Sequence, residues 1–157
     1  MQAPPRGWPR LSSTLLYDNA REAIAWLERA FGFAVQLKVD GPDGSIVHSQ
    51  LVFGEALIMV GEGGAARAPK FGVPLRSPRH LGGANSQCLM LYVDDVDAHC
   101  ARARAAGATI VAEPELHDYG PEYWCDRSYG ALDLDGHLWW FTQRVRNPQS
   151  REDEAAT

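Results

Sequence analysis

The stretch Leu11–Gly32, LSSTLLYDNAREAIAWLERAFG, joins an apolar strand pattern to an amphipathic helix pattern that ends at glycine. The same order recurs about 76 residues later in Cys88–Gly107, CLMLYVDDVDAHCARARAAG. Between strand and helix, Asp18 and Asn19 in the first copy and Asp94 and Asp95 in the second offer side-chain oxygens that can cap a helix N-terminus, and a shift of 76 places Asn19 on Asp95. The chain therefore contains a duplicated structural unit.

Each copy closes on a hairpin. A turn at Gly54-Glu55 precedes the apolar run Leu57–Val60, and a turn at Asp135-Gly136 precedes Leu138–Phe141. With the strands between helix and hairpin, each unit is predicted to be a βαβββ module, so the fold class is α+β. Two such modules imply a pseudo-symmetric groove between them.

The modules divide the chain into five parts. Glycine and proline are frequent in the segment between the modules, which is interpreted as a solvated crossover or, alternatively, as a mobile lid. The last residues are polar and charged, which is typical of a disordered tail. The predicted parts are an N-terminal extension (1–9), the first module (10–62), a linker (63–87), the second module (88–144) and the tail (145–157).

Composition excludes several classes of protein. The 157 residues carry a formal net charge of −5, which argues against a nucleic-acid partner and is compatible with a cationic ligand. Residues 1–9 are too rich in proline for a signal peptide, and no apolar run is long enough to span a membrane. We therefore expect a cytoplasmic protein with no membrane partner, whose three cysteines are free thiols.

Three motifs carry a resemblance to a known family. They are Tyr17–Phe33, Tyr92–Ala108 and Asp133–Trp139, taken in that order. Over about residues 10–143 the chain resembles the vicinal oxygen chelate superfamily, which includes glyoxalase I, extradiol dioxygenases, fosfomycin-resistance enzymes and bleomycin-resistance proteins. The resemblance implies that the paired modules form a cupped mixed sheet and that the protein is a homodimer. It does not by itself imply a reaction.

In metalloenzymes of this family, histidine and glutamate side chains on the first and last strands of each module hold a divalent cation. The matching positions here are Ser12, Met59, Cys88 and Trp140. None is histidine or carboxylate, and tryptophan cannot bind a metal. The chain is therefore predicted to belong to a branch without the metal site, with no metal and no cofactor.

A substitute metal site would need donors at other positions. The simpler interpretation of those donors is that they are polar surface residues that bind no metal. The remaining histidines are interpreted structurally, His99 as a solvent-facing helix residue and His137 as part of the turn before the last strand. The donors available for a substitute site are His48, Glu62, His117, Asp118 and Glu122.

Alternation of side chains predicts which residues line the cup. In the first strand Ser13, Leu15 and Tyr17 would face the helix, and the residues between them would face the cup. The same alternation places further residues on the cup side: Leu16, Leu57, Tyr92, Leu138 and Thr142. From the cup-facing positions and the segment before the seventh strand, nine residues are selected as candidates for ligand binding: Ser12, Thr14, His48, Met59, Cys88, Met90, Trp124, Arg127 and Trp140.

The segment His117–Arg127 is dense in aromatic residues flanked by acids. We expect it to lie over the edge of the groove and to meet Met90 and Trp140, where it would suit flat cationic or heteroaromatic molecules. Burial of Trp124 at a dimer interface is an equal alternative. Arg127 would either pair with a neighbouring acid, Asp126 or Glu122, or bind a ligand carboxylate.

Two functions follow from the sequence. The favoured one is a metal-free protein like those of the bleomycin-resistance branch, which binds a small aromatic or cationic molecule, such as an antibiotic, in a groove that a second subunit completes. The alternative is a metal-dependent lyase, isomerase or dioxygenase that uses non-standard ligands. A purely structural or regulatory dimer is a third interpretation.

Overall fold

The computed structural model describes residues 2–64 and 72–148. It confirms the α+β class, with two four-stranded mixed sheets and two helices. No helix in the described part of the chain is long and apolar enough to cross a membrane. Residue 1, residues 65–71 of the linker and residues 149–157 of the expected tail lie outside the described residues.

The first module consists of β1 (Ser13–Tyr17), α1 (Ala20–Phe31), β2 (Ala34–Asp40), β3 (Ile46–Phe53) and β4 (Ala56–Glu62). Its strands form the first sheet in the order β1-β4-β3-β2. The β1 strand runs parallel to β4, and the other pairs are antiparallel.

The second module consists of β5 (Leu89–Tyr92), α2 (Val96–Ala105), β6 (Thr109–Asp118), β7 (Cys125–Leu132) and β8 (Leu138–Arg146). Its strands form the second sheet in the order β5-β8-β7-β6, with the same pattern of parallel and antiparallel pairs. The predicted βαβββ unit therefore occurs twice, and β8 runs two residues past the expected end of the module at 144.

Each helix begins at the second of its two candidate caps, Asn19 and Asp95. The side chain of Asn19 accepts a hydrogen bond from the backbone N–H of Glu22, and that of Asp95 accepts one from Ala98. Helix α1 ends at Gly32, whose φ of 81° lies in the left-handed region that glycine tolerates best. Local sequence thus fixes where each helix starts and where α1 stops.

One hydrophobic core joins the two modules. Each helix covers the inner face of its own sheet, and the helices pack against each other, with the Trp26 indole N–H donating to the Ala106 carbonyl at 2.8 Å. Trp139 on β8 is fully buried and packs against Phe31 and Phe33 of the first module. The prediction of a groove between the modules of one chain is therefore wrong, because that space is filled by the shared core.

The prediction for His99 is also wrong. Its ring is half-buried, with Nδ1 bonded to the Tyr129 hydroxyl at 2.7 Å and Nε2 to the Phe31 carbonyl at 3.0 Å. Burial lowers the pKa of His99 below its ordinary value. The side chain is covered because α2 packs against α1, and the helix pattern alone did not show which side of α2 meets the other module.

Two buried carboxylates fasten the modules and the linker together. Asp133 accepts hydrogen bonds from the Tyr17 hydroxyl and the Trp139 indole, and burial raises its pKa. Asp135 accepts one from the Ser77 hydroxyl and pairs with Arg79 at 3.0 Å. The described end of the linker, which includes a short 3₁₀ helix over Pro78–Leu81, is thus tied to the turn before β8.

His137 lies in the same junction. Its Nε2 bonds to the Leu16 carbonyl at 2.9 Å, and its backbone N–H donates to Asp133. Its ring lies 4.8 Å from the Tyr17 ring. These contacts link β1 to the turn before β8, which agrees with the structural interpretation of His137.

Candidate ligand-binding surface

We call the face of each sheet that is turned away from the helices its outer face. On the first sheet, Thr14 of β1 lies opposite Met59 of β4. On the second, Met90 of β5 lies opposite Trp140 of β8. The structure brings the members of each pair together but separates the two pairs, because the inner faces of both sheets meet at the shared core.

Three other candidate residues have outer or edge positions. His48 on β3 bonds to Gln50, two residues along the same face, at 2.9 Å. Cys88 is an exposed thiol immediately before β5, and Ser12 is half-buried immediately before β1. Their role in ligand binding stays a prediction.

The outer face of the second sheet is open and apolar. The side chain of Met90 is 53% exposed and that of Tyr92 is 49% exposed. Trp140 lies across Gly130 of β7, where an added Cβ would be only 3.3 Å from two indole carbons. The absence of a side chain at Gly130 thus leaves room for the indole on this face.

Arg144 stands at the end of this face. Its Nε donates to Asp126 at 2.5 Å, and its Nη2 donates to the Tyr92 hydroxyl at 2.6 Å. Hydrogen bonding to Asp126 raises the pKa of the guanidinium. The sequence interpretation missed Arg144, although alternation along β8 places it on the same face as Trp140 and Thr142.

The residues between β6 and β7, 119–124, form an aromatic loop. Trp124 lies 5.9 Å from the Tyr119 ring and 5.6 Å from the guanidinium carbon of Arg144. The expected meeting with Trp140 is wrong, because β7 begins opposite Arg146, which lies about 20 Å along β8 from Trp140 at the usual strand rise. The loop therefore extends the Arg144 end of the outer face.

Arg127 does not belong to this surface, so its assignment as a ligand-binding residue is corrected. Its Nε and Nη2 donate to the two carboxylate oxygens of Asp97 in α2, at 2.8 and 2.7 Å. Asp126 points to the outer face, and the next residue on a strand points to the opposite face. Neither expected partner of Arg127 is used, since Asp126 pairs with Arg144 instead and no hydrogen bond to Glu122 forms within the described residues.

The first sheet has a different outer face. Leu57 is only 3% exposed there. A cavity of about 490 Å³ lies between this face and the N-terminal extension, and its lining includes Trp8 and Pro9 from the extension together with Val52 and Leu57. The extension therefore covers part of the first face. This contact could not be predicted, because residues 1–9 lack a strand or helix periodicity.

The residues at the family's metal positions, Ser12, Met59, Cys88 and Trp140, include no histidine and no carboxylate. Within residues 2–64 and 72–148, no three His, Cys, Asp or Glu side chains are grouped so that they could hold an ion. The substitute donors also diverge, since Glu62 accepts from the backbone N–H of Ala20 at the start of α1, whereas His48 lies on the outer face. Asp118 is paired with Arg146. These residues do not fit a divalent cation.

A family model matches most of the chain. The model described as the Glyoxalase/Bleomycin resistance protein/Dioxygenase superfamily matches residues 11–141. Among relatives, an uncharacterized protein of Mycobacterium bovis is 36% identical over 150 residues, which cover 94% of this chain and 91% of the relative. Uncharacterized protein Rv0887c of Mycobacterium tuberculosis is also 36% identical, with coverage of 94% and 82%.

Solved structures share the fold. TioX from Micromonospora sp. ML1 is 30% identical with a TM-score of 0.65, over 87% of this chain and 99% of TioX. TnmS3 from Streptomyces sp. CB03234, described as an antibiotic binding protein, is 18% identical with a TM-score of 0.59, over 85% of this chain and 93% of TnmS3. At 18% identity, the second likeness shows the fold alone.

Proposed function

The chain belongs to the glyoxalase/bleomycin resistance protein/dioxygenase superfamily, and from this premise we propose that it binds a small planar aromatic molecule on the outer face of its second sheet. In this proposal no metal ion takes part and the ligand is not chemically converted. The protein would sequester or carry its ligand.

The observation that carries the proposal is the row of large exposed side chains on this face. Met90, Tyr92 and Trp124 are each more than two-fifths exposed, and Trp140 lies beside Met90. Exposed apolar surface of this kind marks interaction sites, and aromatic rings with a thioether suit stacking against a flat molecule. A few polar groups, led by Arg144, would orient the ligand.

TnmS3 supports a binding role for the fold, since it is described as an antibiotic binding protein. We extend this role to the present chain as a proposal, with antibiotic resistance as its biological setting. The residues that would do the binding come from the outer face of this chain and not from the neighbour.

We further propose that a second copy of the chain completes the groove in a homodimer. On its edge strand β2 the first sheet exposes Leu37 and Val39, each about two-fifths exposed, which lie opposite Gln50 and His48 of the outer face. Placed opposite the second sheet of a partner, the outer face of the first sheet would supply the other wall of the site. Light scattering of the purified protein should then give twice the mass of the chain, and a monomer at micromolar concentration would contradict this part of the proposal.

The test of binding uses Nile red, a neutral planar dye that fluoresces in apolar surroundings. We expect wild-type protein to bind it and Trp140→Ala to weaken binding about tenfold, because a stacked indole is lost. Leu116→Ala is the matched control, since Leu116 is also exposed but lies opposite Arg127, on the other face of the second sheet. Equal weakening by the two variants would contradict the assignment to the outer face of this sheet.

Metal content separates this function from the enzyme alternative. Elemental mass spectrometry of protein purified without a tag or chelator should find no stoichiometric divalent metal. A bound metal whose removal lowers the melting temperature would contradict the metal-free proposal and favour a metal-dependent enzyme.

A further inference from the structure

One cation of the protein itself is fixed between two exposed aromatic rings of the proposed surface. The guanidinium carbon of Arg144 lies 5.4 Å from the ring centre of Tyr92 and 5.6 Å from that of Trp124. The ring faces that would attract an organic cation are therefore already in contact with a guanidinium. A cationic ligand would have to displace Arg144 in order to use them.

The guanidinium is held firmly on one side. Asp126, whose side chain is 11% exposed, accepts from Nε, and the Tyr92 hydroxyl accepts from Nη2. The amide oxygen of Asn147 accepts from Nη1 at 3.2 Å. Arginine has five N–H donors, so within residues 2–64 and 72–148 each terminal nitrogen of Arg144 keeps one N–H without a partner.

We propose that Arg144 gives the surface its specificity by binding one acid group, a carboxylate or sulfonate, carried by the planar aromatic ligand. This inference rests on the proposed function. A guanidinium that an inner carboxylate already orients presents its remaining N–H groups without a large entropy cost, and charge-assisted bonds to an acid group are about twice as strong as neutral ones. Asp126 acts as the positioning residue for Arg144.

The neighbouring charges limit the ligand to one acid group. A cavity of about 420 Å³ beside Arg144 is also lined by Tyr92, Asp94 and Gln143. A second acid group in this cavity would meet the carboxylate of Asp94, whereas a hydrogen-bond donor would be accepted there. The nearby Asp118–Arg146 pair is neutral as a whole and favours neither sign.

Three planar dyes of different charge test the inference. They are anilinonaphthalene sulfonate, which is anionic, Nile red, which is neutral, and proflavine, which is cationic. We expect Arg144→Gln to weaken binding of the sulfonate about tenfold and to change binding of Nile red less than about twofold. Proflavine should bind the wild type weakly and the variant more tightly, because the competing guanidinium is gone.

Arg127→Gln is the matched control, since Arg127 also pairs with a carboxylate but on the opposite face of the same sheet. It should leave all three affinities unchanged. Asp126→Asn tests positioning, and we expect it to weaken the sulfonate while leaving Nile red unaffected. Should Arg144→Gln fail to fold, Arg144→Lys takes its place, because lysine keeps the positive charge but lacks the planar guanidinium with its several N–H donors.

The outcomes separate this inference from the proposed function. If no dye binds the wild type, or if Trp140→Ala affects the binding of none of them, the assignment of the binding surface is wrong. The inference about Arg144 is then wrong as well. If all three dyes bind in a Trp140-dependent way but Arg144→Gln changes them equally, only the selection of an acid group by Arg144 is overturned.

Discussion

The two sheets share one topology but present different outer faces. At equivalent positions in the strand register, the first sheet has Thr14 beside Met59 and the second has Met90 beside Trp140. The N-terminal extension covers part of the first face, whereas the second exposes large aromatic and thioether side chains. The two modules therefore share a backbone topology, and they differ in the side chains that their outer faces expose to a ligand.

The inner faces differ as well. The hairpin strand of the first module buries Ile58 and Val60, whereas the equivalent strand of the second buries Trp139 and Phe141. The larger rings reach across the core to Phe31 at the end of α1. Of the two hairpin strands, β8 of the second module therefore supplies the aromatic rings that pack between the modules. Each prediction below compares a residue of one module with a partner in the other.

The largest expected effect is that of Trp139→Ala. Removing a fully buried indole leaves a cavity and also deprives Asp133 of a hydrogen-bond donor, so the free energy of unfolding should fall by about 3–5 kcal/mol. Ile58→Ala, at the equivalent position, should cost about 2–3 kcal/mol. Urea unfolding followed by circular dichroism measures both. If the Ile58 variant lost more stability than the Trp139 variant, the rings of β8 would not contribute more to the core than the aliphatic side chains of β4.

Asp133→Asn should lower the free energy of unfolding by about 2 kcal/mol, as measured by the same urea unfolding. One carboxylate oxygen accepts from both the Tyr17 hydroxyl and the Trp139 indole, and the other accepts from backbone N–H groups. An amide replaces one of these acceptors with a donor. Glu55→Gln in the matching turn of the first module is exposed and should change stability by less than about 0.5 kcal/mol. A comparable loss in both variants would show that the junction is not specific to the second module.

Much of this fold could be predicted from the sequence, because its signals are local. The strand and helix periods, the cap at Asn19 and the left-handed Gly32 each depend on a few neighbouring residues, and the structure confirms all of them. The alternation also assigned Leu15 to the helix side and Met90 to the opposite side. The sequence pattern of a strand is therefore enough to predict which of its side chains face the helix and which face away from it.

The arrangement of the modules could not be predicted in the same way. Alternation shows that a strand has two faces, but not whether the inner faces of two sheets meet each other. The predictions of a groove between the modules and of a solvent-facing His99 were both wrong, because the contact between the inner faces was not predicted. The assignment of Arg127 was wrong because the sequence did not show that β7 already begins at Cys125, so that Arg127 is a strand residue turned toward α2 and not part of a loop.

Glycine positions give a smaller contrast between the modules. A Cβ at Gly130 would lie 3.3 Å from indole carbons of Trp140 and from Val111, so Gly130→Ala should cost about 1–2 kcal/mol through overpacking. A Cβ at Gly61 of the first sheet would make an ordinary contact of 3.6 Å with Leu16. Gly61→Ala should therefore change stability by less than about 0.5 kcal/mol. Thermal melts measure both, and equal shifts would mean that Trp140 does not rest on Gly130.

The smallest effect concerns His99, whose equivalent in α1 is the fully buried Ala23. Burial lowers the pKa of His99 below 6.5, so the unfolded chain takes up this proton more readily than the native protein. The free energy of unfolding should therefore decrease as the pH falls below about 6.5, and His99→Gln should decrease less over the same interval. Urea unfolding at pH 7.5, 6.5 and 5.5 compares the two slopes. Parallel slopes would mean that the native protein does not lower the pKa of His99, and that its contacts with the Phe31 carbonyl of α1 and the Tyr129 hydroxyl of β7 do not depend on the neutral ring.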